Sequence, residues 1–243
     1  MGSPGAARLQ ILDVFRGCAI VLMVVYHFCF DLAYFGHIRA DFNYDWRWLS
    51  FRAIILSSFL LTAGASLGIS AARGLNPHRF LKGLGEVAGA AVLVSIASWL
   101  VFPRSWIFFG VLHCIAASRI IGLAFTRRPW LALGTGVALI LAGHIFRFPA
   151  LDAPVLRWIG MMTFKPVTED YVPLFPWTGV FLTGMWAGNQ LFLSDRLQSL
   201  RRWESRSPAA QLLAWAGRRS LMIYLLHQPL LFAAFYAVRT LHG

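Results

Sequence analysis

The sequence predicts an all-α integral membrane protein, folded as a single bundle of about seven transmembrane helices. Hydrophobic residues make up 58% of the 243 and charged residues 13%, against roughly a quarter charged in a soluble globular domain. Mean hydropathy is +0.63. Several apolar runs reach the ~20 residues that a helix needs to cross ~30 Å of hydrocarbon.

Taken in order, hydropathy marks spans at about 11–35, 49–71, 81–101, 106–125, 129–147, 173–193 and 213–238. The connections are short and carry turn residues, as in GLNPHR, FPRS, TRRP and SRSP. The longest runs from about Phe148 to Val172, and no internal repeat or low-complexity segment interrupts the chain. Residues 1–10 read as a cytoplasmic tail and 11–240 as one transmembrane domain. The start, MGSPGAARLQ, has no apolar core followed by a small-residue cleavage site, so the first span is expected to insert and stay.

The net charge of +12 does not indicate nucleic acid. That reading needs Lys and Arg clustered on a water-facing surface, whereas here they punctuate the joints between apolar runs, as in loops of a membrane protein. Cys18, Cys29 and Cys114 lie inside apolar runs without metal-ligand spacing. They read as small core hydrophobes, and no metal is expected.

Orientation follows from the loops. One set holds Arg8, Arg73, Arg79, Lys82, Arg127, Arg128, Arg196, Arg201, Arg202, Arg206, Arg218 and Arg219. The other holds Arg39, Arg47, Arg52, Arg104, Arg147, Arg157, Lys165 and Arg239, diluted by Asp41, Asp45, Asp152, Glu169 and Asp170. The bias puts the N-terminus in the cytoplasm and the C-terminus outside.

The first span, ILDVFRGCAIVLMVVYHFCFDL, carries Asp13, Arg16, His27 and Asp31. At ~100° per residue they project at about 0°, 300°, 320° and 0°, within an arc of about 60°. Asp13 and Asp31 stand roughly 27 Å apart along the axis, nearly the hydrocarbon thickness. A charge at this depth costs at least ~2.5–3.5 kcal/mol and persists where it faces a bundle interior or a wet cavity. Asp13 and Arg16, at i and i+3, also suit a simple anchoring pair. His27 and Asp31, one turn apart, suit either a satisfied interior pair or a general base with its orienting carboxylate.

Other spans add to this inventory. His113 lies in FGVLHCIAAS, with Arg119 six residues deeper, and Asp170 and Tyr171 open the sixth span in TEDYVPLFPW. Pro173 and Pro176 break regular helix in LFPWTG, which reads as the outer lip of a cavity, with Trp177 beside it. His144 reads as an interfacial residue and His227 as a hydrogen-bonded interior histidine. Small residues in SSFLLTAGASLGIS and GVFLTGMWAG favour close helix packing. The layout is an outer zone of acid–base groups (His27, Asp31, His113, Asp170, Tyr171) and an inner zone (Asp13, Arg16, Arg119) whose guanidinium groups suit phosphate.

The segments RLQILDVFRGCAIVLMVVYHFCFDL, FGVLHCIAAS, DYVPLFPWTGVFLTGMWAG and GRRSLMIYLLHQPLL resemble the bacterial branch of the heparan-alpha-glucosaminide N-acetyltransferase catalytic-domain family, akin to the membrane acyltransferases that modify cell-surface sugars. The resemblance covers nearly the whole chain. It implies transmembrane acetylation, in which acetyl-CoA is a donor substrate rather than a bound cofactor and a glycan or amino sugar is the acceptor. An active-site histidine serves as base or transient acetyl carrier. His27 matches the histidine of the bacterial pattern, and His37, just past the first span, matches the position used by the lysosomal relatives. The Asp13–Arg16–Gly17 motif matches the start-of-span signature. No large lumenal domain is expected in this chain.

The residues taken by themselves leave two other readings open: a small proton-coupled transporter or flippase of an anionic or sugar-bearing molecule, and a non-enzymatic membrane partner. Beyond membrane lipid, acetyl-CoA and the acceptor, homo-oligomerisation is left open.

Overall fold

The computed structural model describes residues 9–242, so most of the expected cytoplasmic tail, Arg8 included, lies outside the described residues. The helices are α1 (Gln10–Tyr34), α2 (Trp46–Ala72), α3 (Pro77–Val101), α4 (Val111–Gly122), α5 (Pro129–Ile145), α6 (Leu174–Leu193), α7 (Gln198–Arg201), α8 (Pro208–Arg218) and α9 (Ser220–His242). No strand occurs among the described residues. Four of these helices, α1, α2, α3 and α9, are long and apolar enough to cross a bilayer, while α4 with its 3₁₀ extension and α5 are shorter apolar helices. This is a membrane-integrated, all-helical protein.

Local chemistry sets the boundaries. Pro77 fills the first turn of α3, where an amide hydrogen would have no partner, and the Asn76 side chain caps it by accepting from the Arg79 amide at 3.0 Å. Ser207 and Pro208 start α8 in the same way. The fourth span, expected from residue 106, becomes helical only at Val111. Ser98 Oγ accepts from the Ile107 amide at 3.0 Å and Ser95 Oγ donates to the Ile107 carbonyl at 2.7 Å, which holds this backbone away from helix. The seventh span, expected from 213, is likewise two helices broken at Arg219, whose amide bonds the Ala216 carbonyl at 3.1 Å.

The chain forms two compact units, residues 1–59 with 198–243 and residues 60–197. In the first, α1 packs on α8 so closely that a Cβ on Gly17 would collide with the Leu213 carbonyl, and one on Gly217 with the Asp13 carbonyl. The core here gathers Ile20, Met23, Tyr26, Phe42 and Ile55, with Tyr26 edge-on to Phe42 at 5.4 Å between centroids. In the second unit, α6 is the hub. Gly64 and Gly68 of α2 meet Phe181 and Met185 of α6, while Gly184 and Gly188 meet Leu61 and Ala65. The small residues of both spans are there to bring two backbones together, as the sequence predicts. Gly136 of α5 and Gly179 of α6 repeat the device.

Candidate active site

The polar stripe of α1 splits into a lower and an upper part, both within the first unit. Asp13 is 5% exposed and Asp31 0%, so two carboxylates on a lipid-compatible helix do turn inward. Asp13 Oδ2 lies 4.0 Å from the Arg218 Nη1 at the end of α8. Arg16 is half-buried beside it in sequence.

The upper part is built with α9. His27 and His227 meet edge-on, their ring centroids 4.8 Å apart. The His227 Nδ1 lies 2.6 Å from the Tyr224 carbonyl. A carbonyl only accepts, so Nδ1 carries the proton and the Nε2 of the neutral ring is an acceptor. That Nε2 is buried and has no hydrogen-bond partner among the described residues. Gln228 donates from Nε2 to Asp31 Oδ1 at 2.8 Å, while Asp31 Oδ2 and Gln228 Oε1 are buried and unpartnered there. Three acceptor atoms therefore sit out of water around one histidine pair, and no described residue supplies them with a donor. Buried polar groups are nearly always bonded, so each exception calls for an explanation, an ordered water or a catalytic role among them.

The expected His27–Asp31 pair does not form. Both side chains leave α1 on one face, but Asp31 is taken by the amide on α9 and His27 faces the other imidazole. His37 lies in the loop after α1, exposed, its ring over Phe235 at 6.1 Å between centroids. Sequence reading placed His227 correctly as a hydrogen-bonded interior histidine but did not join it to His27. Gln228, between that histidine and Pro229, was the available sign: a polar pair on an apolar helix at a point where proline removes a backbone donor.

The remaining expected residues belong to the second unit. His113 Nδ1 accepts from the Gly110 amide at 3.2 Å, and its Nε2 lies 3.2 Å from Ser95 Oγ. Because Ser95 donates its proton to the Ile107 carbonyl, Nε2 must be the donor in that contact, and both ring nitrogens are committed. Asp170 Oδ2 accepts from the Val111 amide at 2.9 Å, capping α4 where a carboxylate suits the helix dipole. Tyr171 donates its hydroxyl to the Arg157 carbonyl at 2.7 Å, and burial pushes its phenol up to about 12 against the lowering field of Arg157. These three thus lock the entry to α4 and α6. Trp177 is half-buried in the first turns of α6. Arg119 lies over the Phe80 ring at 5.3 Å and bonds the Phe80 carbonyl at 3.4 Å, with its buried Nε unpartnered among the described residues.

The second unit also holds an open cavity of about 320 Å³ whose wall includes Pro173, Phe175, Pro176 and Tyr171, the stretch read from sequence as a lip. No group of three or more His, Cys, Asp or Glu side chains able to hold a metal ion occurs among the described residues.

No curated protein and no solved structure matches the chain. A family model does match, and over residues 8–229 it takes in α1, the α4 entry and the His27–His227 pair alike. On that match, the chain belongs to the heparan-alpha-glucosaminide N-acetyltransferase catalytic family, a family of transmembrane acetyltransferases.

Proposed function

We propose that this protein moves an acetyl group from cytosolic acetyl-CoA to a hydroxyl or amine of a sugar on the outer side of the membrane. The observation that carries this reading is the set of buried acceptors without donors, Asp31 Oδ2, His227 Nε2 and Gln228 Oε1, around His27. Acetyl transfer needs a group that takes a proton from the acceptor and gives it up again, and an imidazole does this near neutral pH.

In the base mechanism, His27 takes the acceptor's proton as its oxygen or nitrogen attacks the thioester carbonyl. The C–S bond breaks, and the proton passes to the departing thiolate. The His227 Nε2 lone pair steadies the imidazolium while it exists, and Asp31, held by Gln228, adds negative charge behind it. Alternatively His27 carries the acetyl group transiently, with the same partners. Arg16, with Asp13 setting the start of the span, attracts the CoA phosphates. The shorter helices α4, α5 and α6 complete seven crossings, with the N-terminus cytoplasmic.

A proton-coupled transporter or flippase would use the same buried cluster, and an isotope separates the two. Purified wild type given labelled acetyl-CoA and a sugar acceptor transfers label, and His37→Ala does too. His27→Ala does not. Movement of the sugar without label transfer supports the transporter, and full transfer by His27→Ala removes the histidine from the chemistry.

A further inference from the structure

The cavity of the second unit is lined by both Arg147 and Lys165 and, among the described residues, by no acidic side chain. Its wall is an ordered loop between α5 and α6. The Phe148 amide bonds the Met161 carbonyl at 2.9 Å, and the Asp152 carboxylate receives the Thr163 amide at 2.9 Å and the Thr163 hydroxyl at 2.6 Å. Each oxygen of that carboxylate thus accepts a bond from the wall itself. Gly160, at φ +97°, presses so close that a Cβ would approach the Phe175 carbonyl at 2.5 Å. Met161 next to it is held at φ 56°. A non-glycine residue keeps such a conformation where its surroundings over-determine it, a condition that clusters at ligand sites.

Arg147 is pinned by one end. Its Nη1 donates to the Gly143 carbonyl at 2.8 Å and to the Phe146 carbonyl at 2.6 Å. The opposite edge, Nε with Nη2, is the fork that grips two oxygens at once. A carboxylate would fill that edge with both its oxygens, whereas a phosphate has oxygens left over for Lys165. The lining also includes Met162, Phe164 and Phe175, which suit the carbon side of an ester. We propose that this cavity is a phosphate-ester site, with Arg147 and Lys165 as the anion-binding residues. The ester comes either from a membrane phospholipid or from a soluble phosphorylated molecule. The site goes beyond the acetyl-transfer reading and does not depend on it.

Native mass spectrometry of the full delipidated chain in detergent tests this. The probes are phosphatidylglycerol, uncharged diacylglycerol and glycerol 3-phosphate. Wild type holds one phosphatidylglycerol adduct that survives collisional activation and holds no diacylglycerol. The Arg147→Gln/Lys165→Gln double variant loses the adduct at least about tenfold, the order expected for two charge-assisted contacts. Arg147→Lys keeps a donor for the α5 carbonyls but loses the fork, and falls between. Lys165→Gln, at an exposed position, weakens the adduct without a change in unfolding temperature, which excludes misfolding as the cause. Displacement of the adduct by glycerol 3-phosphate assigns the site to soluble esters, and persistence assigns it to lipid. Equal retention by the double variant, or equal uptake of diacylglycerol, overturns the proposal.

Discussion

Gln228 on α9 donates to Asp31 on α1 at 2.8 Å, so the fully buried carboxylate of the first helix takes its hydrogen bond from another helix and not from the histidine one turn earlier. The bond ties the chemistry of the pair to its folding. Gln228→Leu leaves Asp31 buried without a donor and is expected to destabilise the protein by roughly 1–3 kcal/mol. Asp31→Leu/Gln228→Leu removes both partners and should cost less than the sum of the single changes. Denaturant unfolding in micelles reads both, and a Gln228→Leu protein as stable as wild type contradicts the bond.

His227 offers a cleaner separation of structure from chemistry. Asn at 227 has an amide near the Nδ1 position and can still donate to the Tyr224 carbonyl, but it lacks the Nε2 lone pair. His227→Asn is therefore expected to keep its unfolding midpoint while acetyl transfer falls by about 10²-fold. His227→Ala loses both features, and added imidazole should restore part of its rate. Transfer at the wild-type rate by His227→Asn would show that Nε2 is a bystander.

Close backbone approach gives a prediction with an internal control. Gly17→Ala and Gly217→Ala each drive a methyl into a carbonyl of the neighbouring helix, and overpacking of this kind typically costs ~1–3 kcal/mol. A Cβ on Gly85 of α3 would meet no atom of the described residues within 4 Å. Gly85→Ala should be neutral or stabilising by up to about 1 kcal/mol, the difference in helix propensity. Thermal unfolding should place both Gly17→Ala and Gly217→Ala below wild type and Gly85→Ala at or above it.

Tyr171 carries a pH signature. Its folded-state phenol is raised to about 12 from an ordinary value near 10. A raised value means the folded protein holds the proton more tightly. The resulting stability is fully present below pH ~10 and is lost as pH rises through about 12. The phenolate absorbance removed by Tyr171→Phe, taken as a difference from wild type, should therefore emerge only near pH 12. Ionisation at pH 10 would mean that the phenol is solvated and not bonded to the Arg157 carbonyl.

The sequence made parts of this protein readable because burial in lipid is so unforgiving. Asp13 and Asp31 share a face at helical spacing, and both are buried as that spacing requires. The glycine and alanine runs of α2 and α6 likewise announced a close crossing. Three things were not legible. The break at Arg219 interrupts a hydropathy signal that runs on unbroken. The late start of α4 depends on Ser95 and Ser98, hydroxyls on a different helix. The partners of the site residues depend on contacts far apart in the chain: Asp31 with Gln228, Val111 with Asp170. Spacing within one helix favours His27 and Asp31 as a pair, and only packing against α9 decides otherwise.

On the proposed reading, His27 handles the proton or the acetyl group. That role is tested most directly by the rate at which purified protein releases free CoA thiol from acetyl-CoA in the presence of a sugar acceptor. His27→Ala should lower that rate by about 10²–10⁴-fold while its unfolding curve stays superimposable on that of wild type. Thiol release by a folded His27→Ala protein at the wild-type rate would contradict the account.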